Sequence, residues 1–171
     1  IAECLVGSEM CIRDRLDEKY HKLIVDTHLA YIESGAEVIT TNTFSSRRIR
    51  MDQNKVSRYF EYANKKACEL AIQAKQNSKK EVFIAGSIPA QFDTYKEDTR
   101  DDEIIRSAFF DQINCISDYV DFLYLDVISS GREIDLATKI IEKLDKPILL
   151  GIHLTKNGCL PSGETISQVL K

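Results

Sequence analysis

Apolar positions along this chain switch repeatedly between a helical and an extended period. Over residues 16–31, Leu16, Tyr20, Leu23, Ile24, Thr27 and Tyr31 recur at helical spacing. Ser34-Gly35-Ala36 reads as a helix stop feeding a short buried strand, Glu37-Val38-Ile39-Thr40-Thr41. Val56, Tyr59, Phe60, Ala63, Ala67, Leu70, Ala71 and Ala74 trace the stripe of a longer helix. A second strand, Val82-Phe83-Ile84-Ala85, is predicted to end in a turn at Gly86-Ser87-Ile88-Pro89. Ile104, Ile105, Ala108, Phe109, Gln112, Ile116 and Val120 mark a third helix. Phe122-Leu123-Tyr124-Leu125-Asp126 follows, an apolar strand closing on a carboxylate. Ile134, Ala137, Ile140, Ile141 and Leu144 give a fourth helix, and residues 147–153 a last strand. Residues 162–171 read as the first turns of one more helix.

Strands separated by helices predict βα units and a parallel sheet. Two architectures accommodate four such units, a doubly wound sheet and part of a (β/α)8 barrel. The G-x-G-x-x-G phosphate turn of a dinucleotide-binding sheet does not occur in the sequence. Polar residues instead recur at the strand ends: Asn42 and Thr43, Ser87, Asp126, and His153. That recurrence suits a barrel, whose site draws on several strand ends. A complete barrel takes about 250 residues, so the expected fold is α/β, a partial TIM barrel of about four βα units in one domain over residues 16–171. Residues 1–15 (IAECLVGSEMCIRDR) lack both an amphipathic period and turn chemistry. They resemble a translated sequencing-adapter read-through and are set apart as a non-native leader, with the chain expected to be an internal fragment.

Composition narrows the function classes. The chain has 171 residues, 43% of them hydrophobic, enough for a real core. A net charge of -4 argues against nucleic acid, because phosphate neutralisation needs Lys/Arg clusters. Arg47, Arg48 and Arg50 form the densest basic patch and are expected to be a solvated helix start. No apolar run approaches the ~20 residues of a membrane span. The five cysteines (Cys4, Cys11, Cys68, Cys115 and Cys159) are odd in number and widely spaced, without a C-x-x-C pair. Cys68 and Cys115 fit core packing, and a reduced cytoplasmic protein is expected.

Chemistry is expected where the first strand ends. Thr41, Asn42 and Thr43 put two hydroxyls and an amide just past its C-terminus, where parallel α/β folds meet their ligands. The alternative is that these side chains cap the next helix or tie up a loop. Asp126 likewise reads either as a ligand carboxylate or as a loop cap. His28 fits a packed or capping histidine, and His21 a surface one. A lone His153 is a poor zinc ligand. Glu164 fits a helix-start residue, as do Asp101, Asp102 and Glu103.

GAEVITTNTF after the helix holding His28 and Ser34, AGSIPA from Ala85, DFLYLD to Asp126 and NGCLPSGE to Glu164 occur in order. Together they resemble the homocysteine S-methyltransferase family over residues 16–171. The resemblance implies a (β/α)8 barrel that transfers a methyl group to the sulfur of homocysteine, with methionine as product. It also implies a zinc ion held by three cysteines, which would stabilise the attacking thiolate. Thr41, Asn42 and Thr43 match the family's rim after its second strand, with Phe44 packing beneath it, and Ser87 matches the turn after the third. Asp126 stands where the family commonly has Glu to meet the substrate ammonium, and is one methylene shorter. The substrate-binding set is therefore Thr41, Asn42, Thr43, Phe44, Ser87 and Asp126, with no catalytic or metal residue assigned in this chain. The family's zinc cysteines lie beyond the fifth strand, and its first strand, with a substrate-binding Asp, also has no counterpart here. Zinc is thus expected in the full-length parent and not in this chain, which is expected to be inactive alone. The partners are homocysteine and a small-molecule methyl donor, with self-association through open sheet edges. Two other readings stand beside this one. The first is a degenerate amino-acid-binding barrel or interaction module. The second is another barrel enzyme using Asp126 and His153 as acid and base.

Overall fold

The computed structural model describes residues 8–170, and for residues 8–11 the backbone alone. Residues 1–7, with Cys4 of the segment set apart above, and Lys171 lie outside the described residues. The elements run α1 (Ser8–Leu16), α2 (His21–Glu33), β1 (Val38–Thr40), α3 (Arg48–Gln53) and α4 (Phe60–Ser78). They continue with β2 (Phe83–Pro89), α5 (Asp102–Ile116), β3 (Phe122–Ile128), α6 (Gly131–Ile141), β4 (Ile148–Ile152) and α7 (Ile166–Val169). Where residues 8–16 carry no amphipathic period, the structure has a helix, and Ile12 packs with Met51, Phe60 and Ala63.

The four strands form one sheet in the order β1-β2-β3-β4, every pair parallel. This is the architecture expected of a partial (β/α)8 barrel. Period-2 alternation assigns the two faces. Ile39, Ile84, Ile88, Leu123, Leu125 and Ile128 point into the core, against Phe109, Ile113 and Ile116 of α5 and Ile134, Ala137 and Ile141 of α6. Their alternating neighbours face the other way, and there the sheet is open: Phe83 is 54% and Leu149 50% exposed.

Two strands run further than the sequence indicates. Gly86-Ser87-Ile88-Pro89 is not a turn but the second half of β2, paired with residues 123–126 of β3. Gly86 is there for space, not for a bend. A Cβ at that position would lie 3.0 Å from both Ile116 Cδ1 and Val120 Cγ2, where the end of α5 closes on the sheet. Pro89 comes last in the strand, where a missing N–H costs little. Similarly, β3 continues past Asp126 to Ile128, with a register shift against β4 between Leu125 and Ile128. The helix stop at Ser34-Gly35 forms as the sequence indicates, with Gly35 at φ +102°.

β1 and β4 each have a neighbour on one side only, and the open face is apolar below its rim. We therefore expect the isolated chain to self-associate. Size-exclusion chromatography with light scattering should give a mass above the monomer's. A monodisperse monomer that melts cooperatively would contradict this.

Candidate functional site

The C-terminal ends of β1, β2 and β3 meet in one hydrogen-bonded joint. The Ser87 N–H donates to Thr41 Oγ1 at 3.1 Å, and Thr43 Oγ1 donates to the Ser87 carbonyl at 2.6 Å. Because the Thr43 proton is committed, Thr41 donates in the 2.9 Å contact between the two hydroxyls. Both threonines are buried, so their side chains brace β2 from behind. Asn42, between them, is half-buried at the rim. Phe44, also half-buried, opens a 3-10 turn (Phe44–Ser46) and lies under the Arg47 guanidinium at 5.3 Å.

A buried amide chain extends the joint. Gln112 of α5 donates from Nε2 to the Thr43 carbonyl (3.0 Å) and to Asn64 Oδ1 (3.1 Å). Gln91 Nε2 in turn donates to Gln112 Oε1 (2.9 Å) and to the Pro89 carbonyl (2.8 Å). In the helical stripe Gln112 looks like one more apolar position. A polar residue at a core register, with a Gln just after the preceding strand, was the available signal.

On the opposite face of the sheet, Ser87 Oγ, itself buried, donates to the half-buried Asp126 Oδ2 at 3.0 Å. Burial pushes the Asp126 carboxyl up from its ordinary value, while the Ser87 hydrogen bond opposes the rise. Val127 follows at φ +58°, a β-branched residue in the left-handed region at the bulge between Leu125 and Ile128. Such a conformation costs on the order of 1–3 kcal/mol and persists only where surrounding structure imposes it. The joint thus separates the sequence-predicted set. Ser87 and Asp126 come together on that face, whereas Thr41 and Thr43 hold the backbone behind them. His153, at the end of β4, packs edge-on against Tyr95 at 4.9 Å between ring centroids.

Three further side chains differ from the sequence expectation. Arg47 is not solvated: it is buried, donating to the Ala90 carbonyl and to Thr94 Oγ1 (3.1 Å). Glu164 serves another helix than its own. Its Oε2 accepts the Gly131 N–H at 2.8 Å, capping α6 and tying the loop after β4 to the end of β3. Its own segment starts at Thr165, which forms a capping box with Gln168. His21 is half-buried, with Nε2 2.9 Å from the Arg15 carbonyl. His28 is packed, as expected, and burial lowers its pKa.

Two buried groups beside the rim carry charge at a cost. The N-cap Ser130 hydroxyl donates to Glu133 Oε2 at 2.7 Å, while Glu133 Oε1 has no hydrogen-bond partner. Burial pushes the Glu133 carboxyl up to about 7, against the opposing Ser130 hydrogen bond. Arg47, whose charge Asp93 and Glu133 support, is held below its usual value by burial.

No group of three or more His, Cys, Asp or Glu side chains among the described residues could hold a metal ion. Cys68 is buried, its thiol pushed up to about 12 by burial, and Cys115 is raised for the same reason. These are poor thiolate donors, and the residues present do not fit a zinc site. No helix among the described residues is long and apolar enough to cross a membrane.

The homocysteine S-methyltransferase family matches the chain over residues 3–171. Among solved structures, the homocysteine methyltransferase MmuM from Escherichia coli in its metallated form superposes with a TM-score of 0.84 at 17% identity. That match covers 97% of this chain and 62% of the other. Its apo form gives 0.69 at 18% identity, over 90% of this chain and 57% of that one. At such identity the likeness carries the fold, a partial TIM barrel. The chain spans about three-fifths of the length of these structures. No curated protein sequence matches it.

Two stability predictions follow from the buried groups. Thr43→Val removes the hydroxyl that closes the joint and leaves the Ser87 carbonyl unpaired. It should cost about 1–3 kcal/mol in denaturant unfolding, and a change within error would show that the joint does not matter. Glu133 has its folded pKa raised from 4.5 to about 7, so its cost is absent below the unfolded value and grows as pH rises between the two. That loss is roughly 3 kcal/mol and complete above pH 7. Melting from pH 4 to 8 should show Glu133→Gln losing less stability than wild type, and parallel profiles would contradict the assignment.

Proposed function

We propose that this chain, which belongs to the homocysteine S-methyltransferase family, comes from a protein that methylates the sulfur of homocysteine and forms methionine. The observation that carries the reading is the Ser87–Asp126 pair on the face of the sheet opposite the core, at the rim where barrel enzymes bind their substrates. An ionised Asp126 holds the substrate ammonium, and Ser87 fixes the carboxylate's orientation. Asn42 and Phe44, at the same rim, complete the wall around the amino acid. Thr41 and Thr43 belong to the site as its brace.

In the transfer itself, the thiolate sulfur forms the new bond to the methyl carbon. The bond from that carbon to the donor breaks, and its electron pair leaves with the donor. Zinc, when bound by the parent, supplies stabilisation of the thiolate. Its ligands come from parts of the parent outside this chain, and the chain alone is inactive. The residues described here act at the other end of the substrate, holding its amino group still while the sulfur reacts. The setting is a reduced, cytoplasmic one, consistent with buried, unpaired Cys68.

The test is steady-state kinetics on the full-length protein. Asp126→Asn should raise KM for homocysteine about tenfold or more, a loss of about 1.4 kcal/mol of binding. Asp126→Glu, which restores the residue common in the family, should retain activity. Full activity of Asp126→Asn, or no methylation of homocysteine by the wild-type protein, would overturn the reading.

A further inference from the structure

The loop between β2 and α5 lies across the end of the sheet as a strap. Thr94 and Asp98 are buried within it, whereas Tyr95, Lys96 and Glu97 between them are exposed. Both buried residues are points of attachment. The hydroxyl of Ser129, the first residue past β3, donates to the Thr94 carbonyl at 3.0 Å, and Arg47 donates to Thr94 Oγ1 at 3.1 Å. Arg132, in the first turn of α6, donates to the carbonyls of Asp98 (3.1 Å) and Arg100 (2.7 Å), and Arg100 pairs with the Asp98 carboxylate. Between these pins Tyr95 reaches one strand further. Its ring meets that of His153, the first residue past β4, at 4.9 Å between centroids and 62° between planes. His153 is itself held, because its N–H donates to the Ile128 carbonyl at 3.0 Å. In a sheet ordered β2-β3-β4, a loop that leaves β2 and touches the residue past β4 crosses the end of β3. Asp126 lies two residues before that end.

We propose that residues 95–97 are a lid over the rim, latched by Tyr95 on His153, and that this latch sets how fast the bound amino acid leaves. The inference rests on the reading that homocysteine binds at the rim. The attachments differ in strength, and that difference divides the loop. The pins are buried hydrogen bonds, several of them from guanidinium groups, and charge-assisted bonds are about twice as strong as neutral ones. The latch is a single edge-on aromatic contact made by a ring that is 63% exposed. Contacts of that kind shift an equilibrium only about two- to tenfold. Opening thus breaks the latch and leaves the pins, and the movement is confined to the exposed tip. Lys96 does not oppose it, since its partner Asp93, at 3.1 Å, belongs to the strap itself. A lid must open in every turnover, which a weak latch between firm pins allows.

Rapid-mixing measurement of labelled L-homocysteine release from the full-length protein tests this in wild type, Tyr95→Ala, His153→Ala and the double variant. Loss of either ring should speed release about two- to tenfold. The double variant should release no faster than the singles, because either change alone undoes the latch. Tyr95→Phe keeps the ring and should release at the wild-type rate. Trypsin cleavage after the exposed Lys96 reads the same opening without ligand. His153→Ala leaves the cleavage site intact and should be cut there about two- to tenfold faster, and saturating homocysteine should slow the cutting of wild type. A purely structural role would lower the melting temperature and leave the release rate and the cutting at Lys96 unmoved. Wild-type release from Tyr95→Ala, additive effects in the double variant, or unchanged cutting of His153→Ala would overturn this inference alone. Absence of homocysteine binding by the wild-type protein would overturn the functional reading, and this inference with it.

Discussion

The joint between Thr41, Thr43 and the Ser87 backbone is the interaction on which the site depends. It uses both polar atoms of the Ser87 main chain, the N–H toward Thr41 and the carbonyl toward Thr43. β1 is only three residues long, and its ladder to β2 ends at Thr40. The hydroxyls extend the pairing past that point with side-chain bonds. They hold the strand end where Ser87 Oγ reaches Asp126. Gln112 of α5 holds the same loop through the Thr43 carbonyl.

A polar network of this kind is costly wherever it is incomplete. Three of the buried polar atoms without a hydrogen-bond partner lie next to the rim, Arg47 Nε, Gln91 Oε1 and Glu133 Oε1, while His28 Nε2 lies in α2. All three belong to segments that cross the C-terminal ends of the strands. The hydrophobic core beneath is apolar apart from a few buried polar groups, of which Gln112 and Asn64 are hydrogen-bonded. Val127, in the left-handed region immediately after Asp126, adds backbone strain at the same place. Stability is given up at the rim, beside the partly desolvated Asp126 carboxylate.

Most of the architecture was legible in the alternation of periods, because each strand is a run of apolar residues bounded by helical stripes. Boundaries failed where one residue served a purpose that sequence cannot show. Gly86 and Pro89 look like a turn, yet Gly86 is an accommodation to Ile116 at the end of α5 and to Val120 just beyond it. Arg47 looks like a surface cation because nothing nearby in sequence pairs with it; its partners, Ala90 and Thr94, are more than forty positions away. Glu164 caps α6 across a similar gap in the chain. In the site, Ser87 and Asp126 were readable as polar residues at strand ends.

A metal site has no donor set among the described residues, and the proposed amino-acid site draws on three neighbouring strands. That division makes the placement of the substrate's ammonium the central claim. It is tested most directly by a crystal structure of the full-length protein with homocysteine bound. The account predicts the ammonium nitrogen within hydrogen-bonding distance of Asp126, with Ser87 still on the carboxylate and Thr41 and Thr43 out of contact with the ligand. An ammonium held elsewhere, with Asp126 facing only protein, would contradict it.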